Sequence, residues 1–516
     1  MQKNPIVKLE AVIQDPYDLA VATARTCYSA KGIIRVPDLH KSDRSLALRD
    51  KISQSTREAG HLTTRQHAHF VFSLDQVSRQ FLWSFLHSHP FYNSEQVSQR
   101  YVKVEPGRYT VPPMPENAEK LFHEIVTEQI SDYHQLIESL LPKIRQEYYE
   151  IFPIRKKWEE KYEKTVLKKA YEVARYALPV AIHAYLYHTI SALTLMRYHR
   201  LMDYFDTPWE QRQVVQQMVD CVLQHDPDFA RELNDPIAIE QSPEYQLLQK
   251  HFEQKHLSQE FITEFDQSLA GKKSRLIDYK INAPQTLAQA VRSTLGLPKS
   301  ALSDTDALAR LLDPAQNPSL GDTLNINSLS KLNRCLFHAH YTFRKKISHT
   351  ADSQDQRHRM VPASRPILES QFTGKPDFIT PKIVEEHAQA QELYLSSMKK
   401  TFAGIEKLFE MGVSQESALY LLPNAFPIRF EESGDLLNLH HKWHARACYT
   451  AQEEIFYATV DELQEVSKVH PQITEHILAP CYIRKRAGIK PICPEGDRFC
   501  GVKVWQQDIA EYKRVI

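Results

Sequence analysis

The side chains of this 516-residue chain best suited to chemistry cluster at a few places. The first runs from Gly60 to Tyr101. It reads Gly60-His61-Leu62-Thr63-Thr64-Arg65-Gln66-His67, then the alternating Phe70-Val71-Phe72, then Val77-Ser78-Arg79, His87-Ser88-His89 and Ser98-Gln99-Arg100-Tyr101. A histidine, a short strand, a helix and a loop rich in Ser, Gln and Arg make a surface for an anion and a flat ring. Arginine suits such a surface because its planar fork is permanently charged and donates in pairs. The second place is Asp352-Ser353-Gln354-Asp355-Gln356-Arg357-His358-Arg359. The third is Ala445-Arg446-Ala447-Cys448, followed by Ala451-Gln452-x-Glu454-Ile455. In the tail, Cys481, Cys493 and Cys500 are weak candidates for zinc, with Cys448 or His476 as a fourth ligand. No C-x-x-C spacing supports that, so ordinary thiols are the competing reading.

The elements that must position these groups can be read from composition and period. The length implies more than one domain. Sixty-four basic and sixty-four acidic residues cancel, so no bulk field points to nucleic acid or a membrane surface. Seven scattered cysteines are not a secreted disulfide framework. No apolar run reaches about 18 residues and the first twenty lack a signal pattern, so a cytoplasmic location is expected. Neither G-x-G-x-x-G nor a P-loop occurs.

The chain reads as one unit written twice. Pro179 to Trp209 and Pro423 to Glu453 span equal distances, and Leu-Pro opens both (Leu178-Pro179, Leu422-Pro423-Asn424-Ala425). His87 to Arg100 and Arg344 to Arg357 also match, with Gln-Arg closing both. That spacing pairs His87 with Arg344-Lys345-Lys346 and places Leu324 opposite His67. A second register competes, because the literal Arg-His-Arg lies further on at Arg357-His358-Arg359. Val77, Phe81, Leu82, Phe85 and Leu86 recur at helical spacing and Pro90 ends that helix. Long helices around a small mixed or antiparallel sheet, twice over, give an α+β fold. The expected division is residues 1–233, a linker or helical insertion at 234–274, a second unit at 275–480 and a cysteine-containing tail at 481–516. Lys156 to Lys169 reads as a solvated helix face.

These motifs resemble the flavin-dependent thymidylate synthases. In that family a Gly-His leads to a Glu-His pair, and a helix runs into an Arg-His-Arg loop closed by Ser-x-Arg-Tyr. Here Gln66-His67 and His87-Ser88-His89 stand at the first two places. Arg25-Thr26-Cys27-Tyr28-Ser29 is similar to an early family segment, and Leu422–Ala425 and Arg446–Ile455 to two later ones. The resemblance implies methylation of dUMP to dTMP, with FAD as cofactor and NADPH and methylenetetrahydrofolate as co-substrates. Residue by residue, it implies that Ser98, Gln99, Arg100, Arg175, Arg357, Arg446 and Gln452 bind dUMP, with Arg446 and Ser98 catalytic. His67, Arg79, His87, His89 and Arg344 would bind FAD or folate.

Other readings stand beside these roles. Arg25 and Arg175 fit ordinary ion pairs, His67 a structural histidine, and Asp352–Arg359 a solvated loop. An ordinary histidine titrates near pH 6.5, so His87 and His89 do not replace two permanent charges. The halves also lack different parts. Met202 stands where the second half has Arg446, and Leu419 where the first has Arg175. One composite site, joining the first loop to Arg446 in a homodimer that mimics a tetramer, is the resulting expectation. The alternatives are a non-catalytic duplicated homologue serving as scaffold or regulator, and a flavoenzyme acting on another pyrimidine nucleotide.

Overall fold

The structure is a computed structural model that describes residues 5–87, 89–250 and 254–512. Two four-stranded antiparallel sheets carry it. The first has strands β1 (Ile6–Val12), β2 (His69–Ser78), β3 (Tyr92–Gln96) and β4 (His183–Ser191) in the order β1-β2-β4-β3. The second has β5 (Ser274–Tyr279), β6 (His340–Ser348), β7 (Ala363–Ser364) and β8 (Pro427–Asp435) in the order β5-β6-β8-β7. The helices recur in the same places. Arg79–His87 and His349–Asp355 follow the second strand of each sheet, and Pro208–His225 and Glu453–Val469 close each repeat. The α+β class and the duplication expected from the sequence are both present.

The strands form because their residues alternate. In β2, Phe70, Phe72 and Leu74 are buried between more exposed neighbours, and in β4 Ala184, Leu186, His188 and Ile190 face inward while Tyr185 and Tyr187 face out. The ladders fix which positions correspond. Leu74 pairs with Leu186 as Lys345 pairs with Phe430, and Phe72 pairs with His188 as Phe343 pairs with Glu432. A bulge at Gln76, whose φ is +57°, gives β2 one residue more than β6 over this stretch.

The chain folds into two compact units that are not contiguous in sequence. One comprises residues 1–127, 179–255 and 403–422, and the other 128–178, 256–402 and 423–516. Two long helices, Glu116–Ile151 and Ala388–Glu410, carry the chain across these boundaries. Each unit therefore includes a segment from the other half of the sequence. In the first unit, Val180 N–H and Ala181 N–H donate to the carbonyls of Leu422 and Tyr420 at 2.8 and 3.0 Å. Gly404 lies against Ile125 there, with no room for a Cβ. In the second unit, Asn424 N–H and Ala425 N–H donate to the carbonyls of Leu178 and Tyr176 at 2.8 and 3.0 Å.

The core of the first unit is apolar, built from Phe70, Phe72, Leu74, Phe81, Phe85, Met218 and their neighbours. The second unit has a comparable core around Leu287, Tyr341, Phe343, Leu436 and Trp443. A smaller cluster joins Tyr449, Phe456 and Cys481 to the tail, with Cys493 and Cys500 packed against it. Among the described residues no helix is long and apolar enough to cross a membrane.

Candidate functional site

The second unit gathers most of its chemistry where β6 ends. Ser348 caps the His349–Asp355 helix, accepting from Ala351 N–H at 3.2 Å. Its own N–H and hydroxyl donate to Glu454 at 2.6 and 2.5 Å. Glu454 sits in the first turn of the Glu453–Val469 helix, where backbone dipoles favour a negative charge. The Tyr176 hydroxyl donates to the same carboxylate at 2.6 Å and in turn accepts from Gln452 Nε2 at 2.6 Å. Burial beside Glu454 holds the Tyr176 phenol well above its ordinary range, so it acts as a donor.

The chain of contacts continues outward. Gln452 Oε1 accepts from Arg175 Nη2 at 2.5 Å and also from Gln354 Nε2. The Gln354 carbonyl accepts from Arg446 Nη2 at 2.8 Å, and Arg446 Nε donates to His358 Nε2 at 2.9 Å. Burial, with the neighbouring Arg446 and Lys442 charges, pushes the His358 imidazole well below its usual range. It is neutral, with its proton on Nδ1, which suits a ring nitrogen that accepts from a guanidinium. Arg175, Gln452, Gln354, Arg446 and His358 thus form one connected polar surface inside one unit. Arg357 is exposed at its edge and has no ion pair among the described residues.

The first unit repeats the clamp and loses the charges. Ser78 N–H and hydroxyl donate to Glu210 at 2.7 and 2.6 Å, and Tyr420 donates to it at 2.8 Å. Burial pushes the Glu210 carboxyl up to about 7. Counting from the paired serines, glutamates and tyrosines, His87 and His89 occupy the places of Arg357 and Arg359. Pro208 stands for Gln452 and Leu419 for Arg175. From the helix caps Ser191 and Asp435, Met202 stands for Arg446.

The side chains of this first turn face their own neighbours. The His87 ring packs edge-on to Trp83 at 4.4 Å. His89 Nδ1 accepts from Phe91 N–H at 3.0 Å, which leaves Nε2 to donate to the Tyr198 hydroxyl at 2.7 Å. Ser88 lies outside the described residues. Arg79 is buried and donates to Gln96 Oε1 and the Val97 carbonyl at 3.2 and 2.7 Å, which anchors the loop that follows. In that loop Ser98 Oγ accepts from Arg100 N–H at 3.3 Å, Gln99 is buried, and the Arg100 guanidinium lies over the Tyr101 ring at 5.4 Å. His67 is exposed at the end of a short 3-10 turn.

Two equivalences drawn from spacing are corrected by the ladders. Arg344 lies on β6, paired in the ladder with Glu431 and bound to its carboxylate at 2.6 Å, so it is a strand residue and not part of the turn. The turn matching His87-Ser88-His89 is Arg357-His358-Arg359, as the competing register held. His67 precedes β2 as His338 precedes β6, so His338, and not the exposed Leu324, is its counterpart. His338 lines a groove of about 720 Å³ with Thr286, Gln289, Thr294, Lys331 and Arg334. Gln354, His358, Arg359, Tyr176 and Glu454 were not singled out by sequence as site residues. The literal Arg-His-Arg was the signal for two of them. Among the described residues, no group of three or more His, Cys, Asp or Glu is arranged to hold a metal ion.

These features define a tandem α+β protein with a shared Ser-Glu-Tyr clamp in each repeat and a charged surface in one of them. Known proteins agree. The sequence pattern described as "Thymidylate synthase complementing protein" matches residues 8–228 and 275–472. The chain is similar to the flavin-dependent thymidylate synthase of Clostridium tetani, with 28% identity over 226 residues, 43% of this chain and 84% of that protein. It is similar to those of Sulfurisphaera tokodaii and Saccharolobus solfataricus, each 31% identical over 29% of this chain and 59% and 58% of theirs. The chain belongs to the thymidylate synthase complementing protein family, and carries it twice.

Proposed function

We propose that the protein is an FAD-dependent thymidylate synthase that methylates dUMP to dTMP with methylenetetrahydrofolate and NADPH, and that its nucleotide site lies in the second unit. The observation that carries this reading is the hydrogen-bonded set Arg175–Gln452–Gln354–Arg446–His358, with Arg357 exposed beside it. A nucleotide phosphate needs permanent positive charge, and a uracil ring needs directed donors along its edge. Arg357 and Arg359 supply charge at the turn. Arg446 is held by His358 and the Gln354 carbonyl, which orients its fork to polarise a ring. Arg175 and Gln452 brace one another beneath it.

FAD also fits these residues better here than in the first unit. Its diphosphate calls for arginines such as Arg357 and Arg359, and Lys331, Arg334 and His338 line a groove in the same unit. When bound, FAD would supply the redox chemistry, while the chain's own part is binding, orientation and charge. In the first unit, His87 and His89 are engaged with aromatic neighbours and Arg79 with Gln96 and Val97. The same contrast favours one site per chain.

A second reading, a non-catalytic duplicated homologue, is favoured by Leu419, Met202 and Pro208 at the first unit's matching positions. Titration of FAD with and without dUMP, followed by a tritium-release assay of dTMP formation, separates the two. Saturable binding that dUMP alters, with turnover, is expected. Binding without turnover selects the second reading. Homodimerisation belongs to the same proposal, and light scattering reads it as a species of twice the chain mass.

A further inference from the structure

Four cysteines come together in the second unit, and no reading of the reaction uses them. Cys448 lies in the turn after the Leu436–Arg446 helix, Cys481 in the Pro480–Arg486 helix, and Cys493 and Cys500 on either side of the short 3-10 turn Gly496–Arg498. Cys481 belongs to the apolar cluster of Tyr449, Phe456, Val504 and Tyr512, and Cys493 and Cys500 pack against it. The sulfurs are close enough to act on one another electrostatically. Cys448, Cys493 and Cys500 each act on Cys481, Cys448 acts on both Cys493 and Cys500, and Cys493 acts on Cys500, so no pair of the four stands apart. All four are free thiols. His476, the other fourth ligand left open by the sequence, faces Glu475, Asp313 and Arg486 instead.

Three of the sulfurs have a polar partner two residues further on. Cys448 Sγ lies 3.1 Å from Thr450 Oγ1, and the Glu495 and Val502 N–H groups donate to Cys493 and Cys500. Tyr482 N–H donates to Cys481. Donors of this kind favour a thiolate over a thiol. Arg484, itself buried and donating to the Pro491 carbonyl at 2.8 Å, adds a positive charge near Cys493. Against these stand burial and mutual repulsion, which push the Cys481 thiol up to about 12 and the Cys500 thiol up to about 11. Thiols raised this far are poor nucleophiles, which disfavours a redox or covalent role. A divalent cation among them inverts the balance, because it replaces the protons and turns repulsion into ligation.

We propose that Cys448, Cys481, Cys493 and Cys500 form a structural zinc site that fastens the tail to the turn following Arg446. Zinc suits sulfurs drawn from three separate segments because it is redox-inert and imposes no geometry of its own. The first repeat has Tyr204 where the second has Cys448, so the architecture itself does not require the site. The sulfurs do not converge on one point as the chain stands. Between Cys493 and Cys500 only the Gly496–Arg498 turn is regular, and Gly496 and Gly501 bend the chain there at φ of +53° and +83°. Binding would draw this stretch onto Cys481 and Cys448. Gly501 already seats it against Ile151 and Phe152, where a Cβ has no room.

The test uses the reduced full chain, stripped with a chelator and titrated with Co²⁺ as a spectroscopic stand-in for zinc. One cobalt per chain is expected, with thiolate-to-metal charge-transfer absorption and the visible bands of tetrahedral cobalt, all lost when zinc displaces it. The double variant Cys493→Ser with Cys500→Ser should lose these bands. Cys27→Ser, at an exposed cysteine of the first unit, should keep them. In wild type alone, alkylation mapped by mass spectrometry should show zinc protecting Cys448, Cys493 and Cys500 while Cys27 reacts as before. No cobalt spectrum, bands that survive in the double variant, or undiminished alkylation in zinc would each overturn the site. None of these readouts needs a nucleotide, so the site stands or falls apart from the proposed reaction.

Discussion

Arg175 and Gln452 meet at 2.5 Å although 277 positions separate them in the sequence. Each belongs to a different repeat, yet both lie in the second compact unit. The duplicated chain thus assembles its candidate nucleotide site by lending the end of the Glu159–Ala174 helix, Arg175, to the other repeat's sheet.

Changing Arg446 to Met, the residue the other repeat uses, removes the charged hydrogen bonds to His358 and to the Gln354 carbonyl. A loss of roughly 1.5–3 kcal/mol in dUMP binding, about tenfold to a hundredfold, is expected, with a lowered melting temperature from the acceptors left at His358 and Gln354. Fluorescence-monitored titration reads the first and calorimetry the second. Unaltered affinity would remove Arg446 from the site.

The Arg175–Gln452 bond should be worth more than its parts. Arg175→Leu leaves Gln452 Oε1 with only Gln354, and Gln452→Leu leaves a buried guanidinium short of an acceptor. A double-mutant cycle on unfolding free energy should return a coupling of about 1–3 kcal/mol. Additive effects would mean that the two side chains act independently.

Glu210 gives a pH signature. Its folded value, about 7, lies above that of an unfolded glutamate, so it is protonated more readily in the fold. Its favourable contribution is complete below about pH 4.5 and is lost as pH rises through 7. Wild type should therefore lose up to about 3 kcal/mol relative to Glu210→Gln between pH 5 and 8. Parallel stability curves for the two proteins would contradict the raised value.

The first half of the sequence should not fold alone. Residues 1–233 lack the 403–422 segment that supplies Tyr420 to Glu210 and two carbonyl acceptors to Val180 and Ala181. Expressed alone it should show poor amide-exchange protection, recovered when residues 234–516 are co-expressed. A protected, cooperatively melting fragment would refute this.

The repeat was legible because strand alternation and the Leu-Pro turns leave a fixed spacing to the Glu453 helix. The register of the Arg-His-Arg turn was not, since the Gln-Arg pairs at 99–100 and 356–357 coincide by chance. One follows β3 and the other precedes β7, which has shrunk to two residues. The lysines at 345 and 442 break the apolar pattern of a strand and a helix. Sequence alone offered Lys345 only as part of a charged run, because its partners Asp355, Glu432 and Glu462 come from three separate segments.

The central claim is a single ligand site in the second unit. Titrating wild type, Arg446→Met and Met202→Arg with FAD and dUMP, followed by flavin absorbance, tests it most directly. The account predicts one flavin per wild-type chain, perturbed by dUMP, with that response lost only in Arg446→Met. Two flavins per chain, or an undiminished response in Arg446→Met, would contradict it.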